Sequence, residues 1–240
     1  MSRHGFPSGA SSRLLRFAIV VLSLLGCDRG AFEKEGRTRR AEVTSSPDSV
    51  TPSLAEQILA VKAGDTNEIR LAEISLTEDD LSQIAELPAL RSLIIGGDGK
   101  ELSVPSLTIL SEMTDLETLA LGKTPLTDSG ASHLLRLVSL RDLRLPHSHI
   151  TDEMLGKLSR LPELERVVFG SDKLTDRGLE HFLSMPKLRH LLLYPSPVSN
   201  AGLAKLAGLK HVESLYLVGV PISSETLSQL ERSVEHVHVP

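Results

Sequence analysis

The sequence repeats itself every 24 residues over most of its length, and this period restricts the possible fold more than any other feature. Shifting the chain by 24 residues aligns three apolar columns with the spacing L-x-x-L-x-L. The columns are Leu116, Leu140, Leu164, Leu188 and Val212; then Leu119, Leu143, Val167, Leu191 and Leu215; then Leu121, Leu145, Phe169, Leu193 and Leu217. A regular period of this length indicates stacked structural units, each burying apolar surface against its neighbours.

The same spacing extends toward both ends of the chain. Leu90 and Leu93 open a longer unit of 26 residues, and Ile69 belongs to a degenerate first unit. The last unit is shortened by two residues, which brings Val234 and Val237 into register. The pattern therefore predicts eight units.

Each apolar triplet is followed by a phrase that is typical of a helix start. The phrase T-D-S-G-A-S-H-L at 127–134 returns as T-D-E-M-L-G-K-L, T-D-R-G-L-E-H-F and S-N-A-G-L-A-K-L. We predict that its first residues, Thr127, Thr151, Thr175 and Ser199, are N-caps. The acids that follow, Asp128, Asp152 and Asp176, are expected at the positive ends of the helices. Before the repeats, Ser53 and Glu56 form a capping box that predicts a short covering helix.

These motifs resemble the leucine-rich repeat family, most closely its ribonuclease-inhibitor-like and cysteine-containing-like subtypes. The resemblance covers residues 63–240 and implies an α/β solenoid, a right-handed α/β horseshoe with about eight parallel strands and convex helices. The chain departs from the family at one column. Where many such repeats carry an asparagine, this sequence has Thr124, Ser148, Asp172, Ser196 and Val220.

The first part of the chain has the pattern of an export signal. Residues 1–26 contain three arginines, no acid and the apolar run Phe17–Leu25, so we assign them as a signal peptide. Leu24 to Cys27 resembles the bacterial lipobox, which implies that Cys27 is lipidated and anchors the protein to a membrane facing the periplasm or exterior. The alternative is an ordinary signal peptide in which Cys27 is incidental. Residues 27–52 are polar and predict a flexible tether, which leaves 53–240 as the repeat domain.

Composition excludes several other classes of function. The formal charge is −5, aromatic residues make up 3% and tryptophan is absent, which argues against nucleic-acid binding. A single cysteine excludes an internal disulfide and a cysteine-based zinc site. The sequence has no catalytic or phosphate-binding motif, so we expect no enzyme activity and no cofactor.

Strand alternation predicts which side chains face the concave side of the solenoid. If Leu119 and Leu121 point into the core, Ala120 and its equivalents point the other way. This arithmetic predicts a partner-binding face with an exposed apolar strip beside cationic or titratable groups. Its residues are Arg144, Arg166, Val168, His190, Leu192, Tyr194, Tyr216, Val218 and His238.

The favoured function is a lipid-anchored monomer that binds an unknown protein or peptide through this face, with Leu192, Tyr194 and Tyr216 as anchors. One alternative is a structural or self-associating envelope component. A second is a hydrolase or lyase that uses Arg144, His147 and His190. We expect no metal site, because His190 is two units from the pair His236 and His238, about 10 Å away.

Overall fold

A computed structural model describes residues 52–71, 76–97 and 99–240 of the chain. Ser53–Pro240 forms one compact unit. The predicted signal peptide, Cys27 and the predicted tether up to residue 51 lie outside the described residues.

Eight short strands form a single parallel sheet in which the order of the strands follows the sequence. The strands are β1 (Glu68–Leu71), β2 (Ser92–Ile95), β3 (Thr118–Leu121), β4 (Asp142–Ser148), β5 (Arg166–Ser171), β6 (His190–Leu193), β7 (Ser214–Leu217) and β8 (His236–His238). The predicted class, a leucine-rich repeat α/β solenoid, is confirmed by this arrangement.

A helix precedes the first strand, and a helical segment follows each of the first seven strands. The α-helices are α1 (Leu54–Ala63), α2 (Glu78–Ala85), α3 (Val104–Glu112), α4 (Asp128–Leu134), α5 (Asp152–Leu158), α6 (Asn200–Lys205) and α7 (Ser224–Glu231). Within the described ranges, two 3₁₀ helices span Gly178–Ser184 and Leu206–Gly208. None of the helices in the described ranges combines the length and the apolar character that a membrane crossing requires.

Strand register follows the predicted columns. Ser92 pairs with Thr118 at an offset of 26 residues, as expected for the longer unit. Ser214 pairs with His236 at an offset of 22 residues, as expected for the shortened last unit. The eight predicted units are therefore the eight strands of the sheet.

The core lies between the sheet and the helices and consists mainly of leucines. Leu119, Leu143 and Leu191 are all at most 2% exposed, which confirms that these columns point inward. The two phenylalanines Phe169 and Phe182 meet edge to face, with ring centroids 6.0 Å apart. Full burial of one such side chain contributes about 1.5–3 kcal/mol, so each repeated column stabilises the stack.

The helix starts are joined from one unit to the next by a row of side chains that we call the Asp/Asn ladder: Asp128, Asp152, Asp176 and Asn200. Asp128 accepts two hydrogen bonds from Thr151 of the next unit, from its backbone N at 2.8 Å and its Oγ1 at 2.7 Å. Asp152 accepts from the Thr175 N at 2.9 Å and Asp176 from the Ser199 N at 2.7 Å. Asn200 Oδ1 accepts from the backbone N of Ser223 at 2.7 Å.

The ladder corrects one detail of the sequence analysis. Thr127 and Thr151 precede their helices as predicted, but neither hydroxyl caps its own helix. The Thr151 hydroxyl instead donates a hydrogen bond to Asp128. Ser199 caps its helix as predicted, by accepting from the Gly202 N at 3.3 Å.

The ladder also explains a glycine in the repeated phrase. A Cβ at Gly202 would lie 2.3 Å from Asp176 Oδ1, and one at Gly178 would lie 2.2 Å from Asp152 Oδ1. A side chain at either glycine would therefore require the facing carboxylate to move.

Two serines brace the turns here, one in the column where the family often has asparagine and one just before that column. Ser148 Oγ donates to the Gly170 carbonyl at 2.8 Å, and Ser171 Oγ donates to the Ile150 carbonyl at 2.7 Å. Both serines are buried. Their hydroxyls therefore satisfy turn carbonyls of neighbouring units that are shielded from water.

Candidate binding face

The strand register places one residue of every unit in a single row across the concave side of the sheet. This central row is Arg70, Ile94, Ala120, Arg144, Val168, Leu192, Tyr216 and His238. A parallel row two residues earlier on each strand is Glu68, Ser92, Thr118, Asp142, Arg166, His190, Ser214 and His236. Residues two apart on a strand share a face, so the two rows lie side by side.

A cluster of three charged groups occupies the middle of these rows; we call Asp142, Arg144 and Arg166 the charged cluster. The Arg144 guanidinium donates two hydrogen bonds to Asp142, from Nε to Oδ1 at 2.9 Å and from Nη2 to Oδ2 at 2.7 Å. Arg166 Nη1 donates to the same Oδ2 at 2.8 Å. One carboxylate is thus shared by two guanidinium groups on neighbouring strands.

Asp142 was not singled out in the sequence analysis, although a signal for it exists. It stands two residues before Arg144 on the same strand, so alternation places the two side chains on one face. Since Arg166 is its register partner on β5, all three groups meet. Desolvation lowers the pKa of Arg144, but the hydrogen bonds and charge of Asp142 and the charge of Glu68 outweigh it, and the pKa lies above its ordinary value.

The predicted apolar strip is only partly exposed. Leu192, Tyr216 and Val218 are half-buried, as a binding surface requires. Val168 and Tyr194, however, are only 2% and 4% exposed, so the expectation that they are exposed is wrong.

Packing beside a glycine accounts in part for the position of Tyr194. It follows β6 next to Gly170, where a Cβ would lie 2.5 Å from the Tyr194 Cβ. Its ring also meets His147, with centroids 5.6 Å apart. Tyr194 is therefore a packing residue at the end of the strands, and Tyr216 is the tyrosine that remains accessible.

Two histidines of this face, His190 and His238, have pKa values below the ordinary value. Desolvation lowers the pKa of His190, and the nearby charge of Arg166 lowers it further. Desolvation also lowers the pKa of His238, whose ring stacks on Tyr216 at a centroid distance of 4.5 Å. Across the described ranges, no three histidine, cysteine, aspartate or glutamate residues are grouped so that they could hold a metal ion.

The residues of the enzyme alternative are not brought together. His147 lies near the end of β4, where it contacts the Tyr194 ring, whereas His190 opens β6. These positions differ by five residues along the strand direction, about 16 Å. Arg144 is held by Asp142. The three side chains therefore cannot act on one reacting atom.

The helix side of the solenoid carries a different kind of surface. A depression of about 1060 Å³ lies between α5 and the first 3₁₀ helix, with Glu153, Lys157, Arg177 and Glu180 on its rim. Charged side chains of both signs lie there beside the apolar residues Leu161, Pro162 and Pro186.

No family sequence profile matches the chain. A search of curated proteins also finds no significantly similar sequence.

Comparison with solved structures identifies the architecture. Internalin C2 from Listeria monocytogenes superimposes with a TM-score of 0.51 at 22% identity, over 73% of this chain and 76% of the internalin. The chain has the leucine-rich repeat fold. Internalin inlF from the same bacterium gives a TM-score of 0.50 at 21% identity. That match covers 77% of this chain but only 55% of the internalin. The plant peptide hormone receptor RGFR1 in complex with RGF2 is more distant, with a TM-score of 0.41 at 13% identity over 76% of this chain and 34% of the receptor.

Proposed function

We propose that this leucine-rich repeat protein is a non-catalytic scaffold of the bacterial cell envelope that binds a protein or peptide through its concave face. The observation that carries the proposal is the position of the half-buried Leu192, Tyr216 and Val218 on the same face as the charged cluster. Accessible apolar surface bordered by charged groups is where protein partners bind. A face whose residues change from strand to strand also allows recognition of one particular sequence.

The proposal includes a lipid anchor on Cys27. Its support is the sequence of residues 17–27, in which a short apolar run ends at the single cysteine. The acyl chains would hold the protein at a membrane, since each buried methylene contributes about 0.8 kcal/mol. A Cys27→Ser variant should move from the membrane to the soluble fraction and lose incorporation of a labelled fatty acid. Retention of the variant at the membrane would instead favour an ordinary signal peptide with another means of attachment.

The binding face is tested by comparing two surface variants of the full chain. The first, Leu192→Ser with Tyr216→Ser, removes two concave anchors that are only half-buried. The control, Leu183→Ser, removes an apolar side chain that is 41% exposed on the first 3₁₀ helix, on the opposite side. The tagged proteins are cross-linked in cells of the source organism, and the proteins that copurify with them are quantified by mass spectrometry.

We expect the concave double variant to lose specific partners by at least about tenfold, because each buried anchor contributes about 1–3 kcal/mol to binding. The Leu183→Ser control should keep them. Equal recovery with both variants would contradict the assignment of the concave face. If the principal partner is a second copy of the chain, and light scattering shows a mass that rises with concentration, the self-associating alternative is correct.

A further inference from the structure

We propose that the charged cluster is a receptor for the carboxylate of an aspartate or glutamate side chain in an extended segment of the partner. This inference deepens the proposed function and depends on it. It identifies the partner by its chemistry: an acidic residue placed near an apolar residue. Three observations support it, namely the local charge balance, an unused donor on Arg144 and the distance to the apolar residues of the face.

The charged cluster contains more positive than negative groups. Asp142 contributes one negative charge, and both of its oxygens are already occupied by Arg144 and Arg166. The next acid, Glu68, is paired with Arg70 at 2.7 Å. The charged cluster therefore contains two guanidinium groups for one carboxylate. An anionic group is the complement of such a site.

Arg144 has a donor that its own carboxylate does not use. The residue is only 8% exposed, and its Nη1 is buried and makes no hydrogen bond within the described ranges. A guanidinium presents its donors as a planar fork that matches a carboxylate. A second carboxylate lying beside Asp142 would accept a hydrogen bond from Nη1 and would give the cluster one carboxylate for each guanidinium. Two arginines that share one acid are therefore suited to binding a second carboxylate.

The apolar part of the face lies at a distance that sets the spacing within the ligand. Tyr216 on β7 is two strands from Arg166 on β5 and three strands from Arg144 on β4. Neighbouring strands are about 4.8 Å apart, which makes these distances about 10 and 14 Å. An extended peptide advances about 3.3 Å per residue. The acid and the apolar residue should therefore be three or four positions apart.

The whole chain is acidic, with a formal charge of −5, and would repel an acidic peptide in general. Attraction to a carboxylate must consequently come from the local cluster. This makes the inference specific, because removal of one arginine from the cluster should abolish the attraction, whereas removal of an arginine elsewhere should not.

The experiment uses a display library of random dodecapeptides selected on the purified full chain. One enriched peptide is then synthesised with its acid as Glu and as Gln, and a third version has its only carboxylate at the C-terminus. Affinities are measured by fluorescence anisotropy for the natural chain and for Arg166→Gln, Asp142→Asn and Arg189→Gln. Arg189 is the matched control, since it is an exposed arginine paired with Glu213 at 2.8 Å.

We expect enriched peptides to share an acid three or four positions from an apolar residue. Replacing Glu by Gln in the peptide should weaken binding to the natural chain at least about tenfold, as loss of a charge-assisted hydrogen bond does. The same replacement should have no effect on Arg166→Gln. Asp142→Asn removes the competing carboxylate and should strengthen binding of the Glu peptide, whereas Arg189→Gln should leave it unchanged.

Other results overturn the inference in distinguishable ways. Enriched peptides without a shared acid, or a Glu peptide that binds Arg166→Gln as well as the natural chain, would refute the carboxylate site while leaving peptide binding intact. Preference for the C-terminal carboxylate would refute the assignment to a side chain. If no peptide is enriched, the carboxylate inference fails, and the proposed function is limited to binding of a folded protein. Thermal melts check that Asp142→Asn folds. Arg166→Gln lies at a half-buried site and tests the inference even if Asp142→Asn does not fold.

Discussion

The helix starts and the concave face belong to the same eight units, yet they follow opposite rules. At the helix starts, an Asp or Asn recurs at 128, 152, 176 and 200 and makes the same contact with the next unit each time. On the concave face, the central row changes from Arg144 to Val168 to Leu192 across consecutive strands. Positions where the same residue repeats thus make contacts between units. Positions where the residue varies lie on a surface that does not hold the units together.

The largest expected effect comes from two adjacent leucines on β6. Leu191 is 0% exposed in the core, and Leu192 is half-buried on the concave face. Leu191→Ala should lower the free energy of unfolding by about 2–5 kcal/mol because it leaves a cavity. Leu192→Ala should cost less than about 1 kcal/mol, since surface substitutions have small effects. Urea denaturation of both variants measures the difference, and equal losses would contradict the assignment of the two faces.

A smaller effect is expected where the ladder is interrupted. The unit before Asp128 has Val104 at the equivalent position, 65% exposed, and Thr127 is not bonded there as Thr151 is to Asp128. Val104→Asp should complete the contact with Thr127 and also place a carboxylate at the start of α3. We expect a stabilisation of about 1 kcal/mol, the typical net contribution of one hydrogen bond.

Thermal and urea denaturation test this change against Val138→Asp. Val138 is also an exposed valine, at 52%, but it lies outside the ladder. A gain with Val138→Asp as large as with Val104→Asp would show that added charge, rather than a new ladder contact, is responsible.

The smallest effect is a dependence of stability on pH at the ladder. A hydrogen bond from the Ser199 hydroxyl and, to a smaller extent, one from the Ser199 backbone N–H hold the pKa of Asp176 below its ordinary value. Because the folded pKa is depressed, this carboxylate stabilises the fold above about pH 4 and loses its contribution as the pH falls through the folded pKa. Asp176→Asn should therefore be less stable than the natural chain at pH 7, and this gap should narrow toward pH 2.5.

Asp115→Asn is the control for this experiment, since Asp115 is exposed and lies 3.9 Å from Arg91, outside the ladder. It should show little difference from the natural chain at either pH. A gap for Asp176→Asn that stays constant from pH 7 to pH 2.5 would show that the ladder does not depend on the charge of the carboxylate.

Much of the candidate site was predictable from alternation alone. The columns at Leu143 and Leu145 point inward, so Arg144 had to face the other way, and the register then brought Arg166 and His190 into the adjacent row. Alternation gives only a direction, however. Whether a concave residue is covered depends on its neighbours, and this is why Tyr194 beside Gly170 is buried while Tyr216 is half-buried.

The sequence by itself determined the number of units, the strand register and the inward columns, because a side-chain period of two and a repeat of 24 residues leave one way to bury the leucines. The tertiary structure alone decided the sharing of Asp142 by two arginines, the bonding of each Asp to the following unit and the burial of Tyr194. These contacts join residues from neighbouring units or depend on the rotamer of each side chain. Such geometry exists only once the units are stacked.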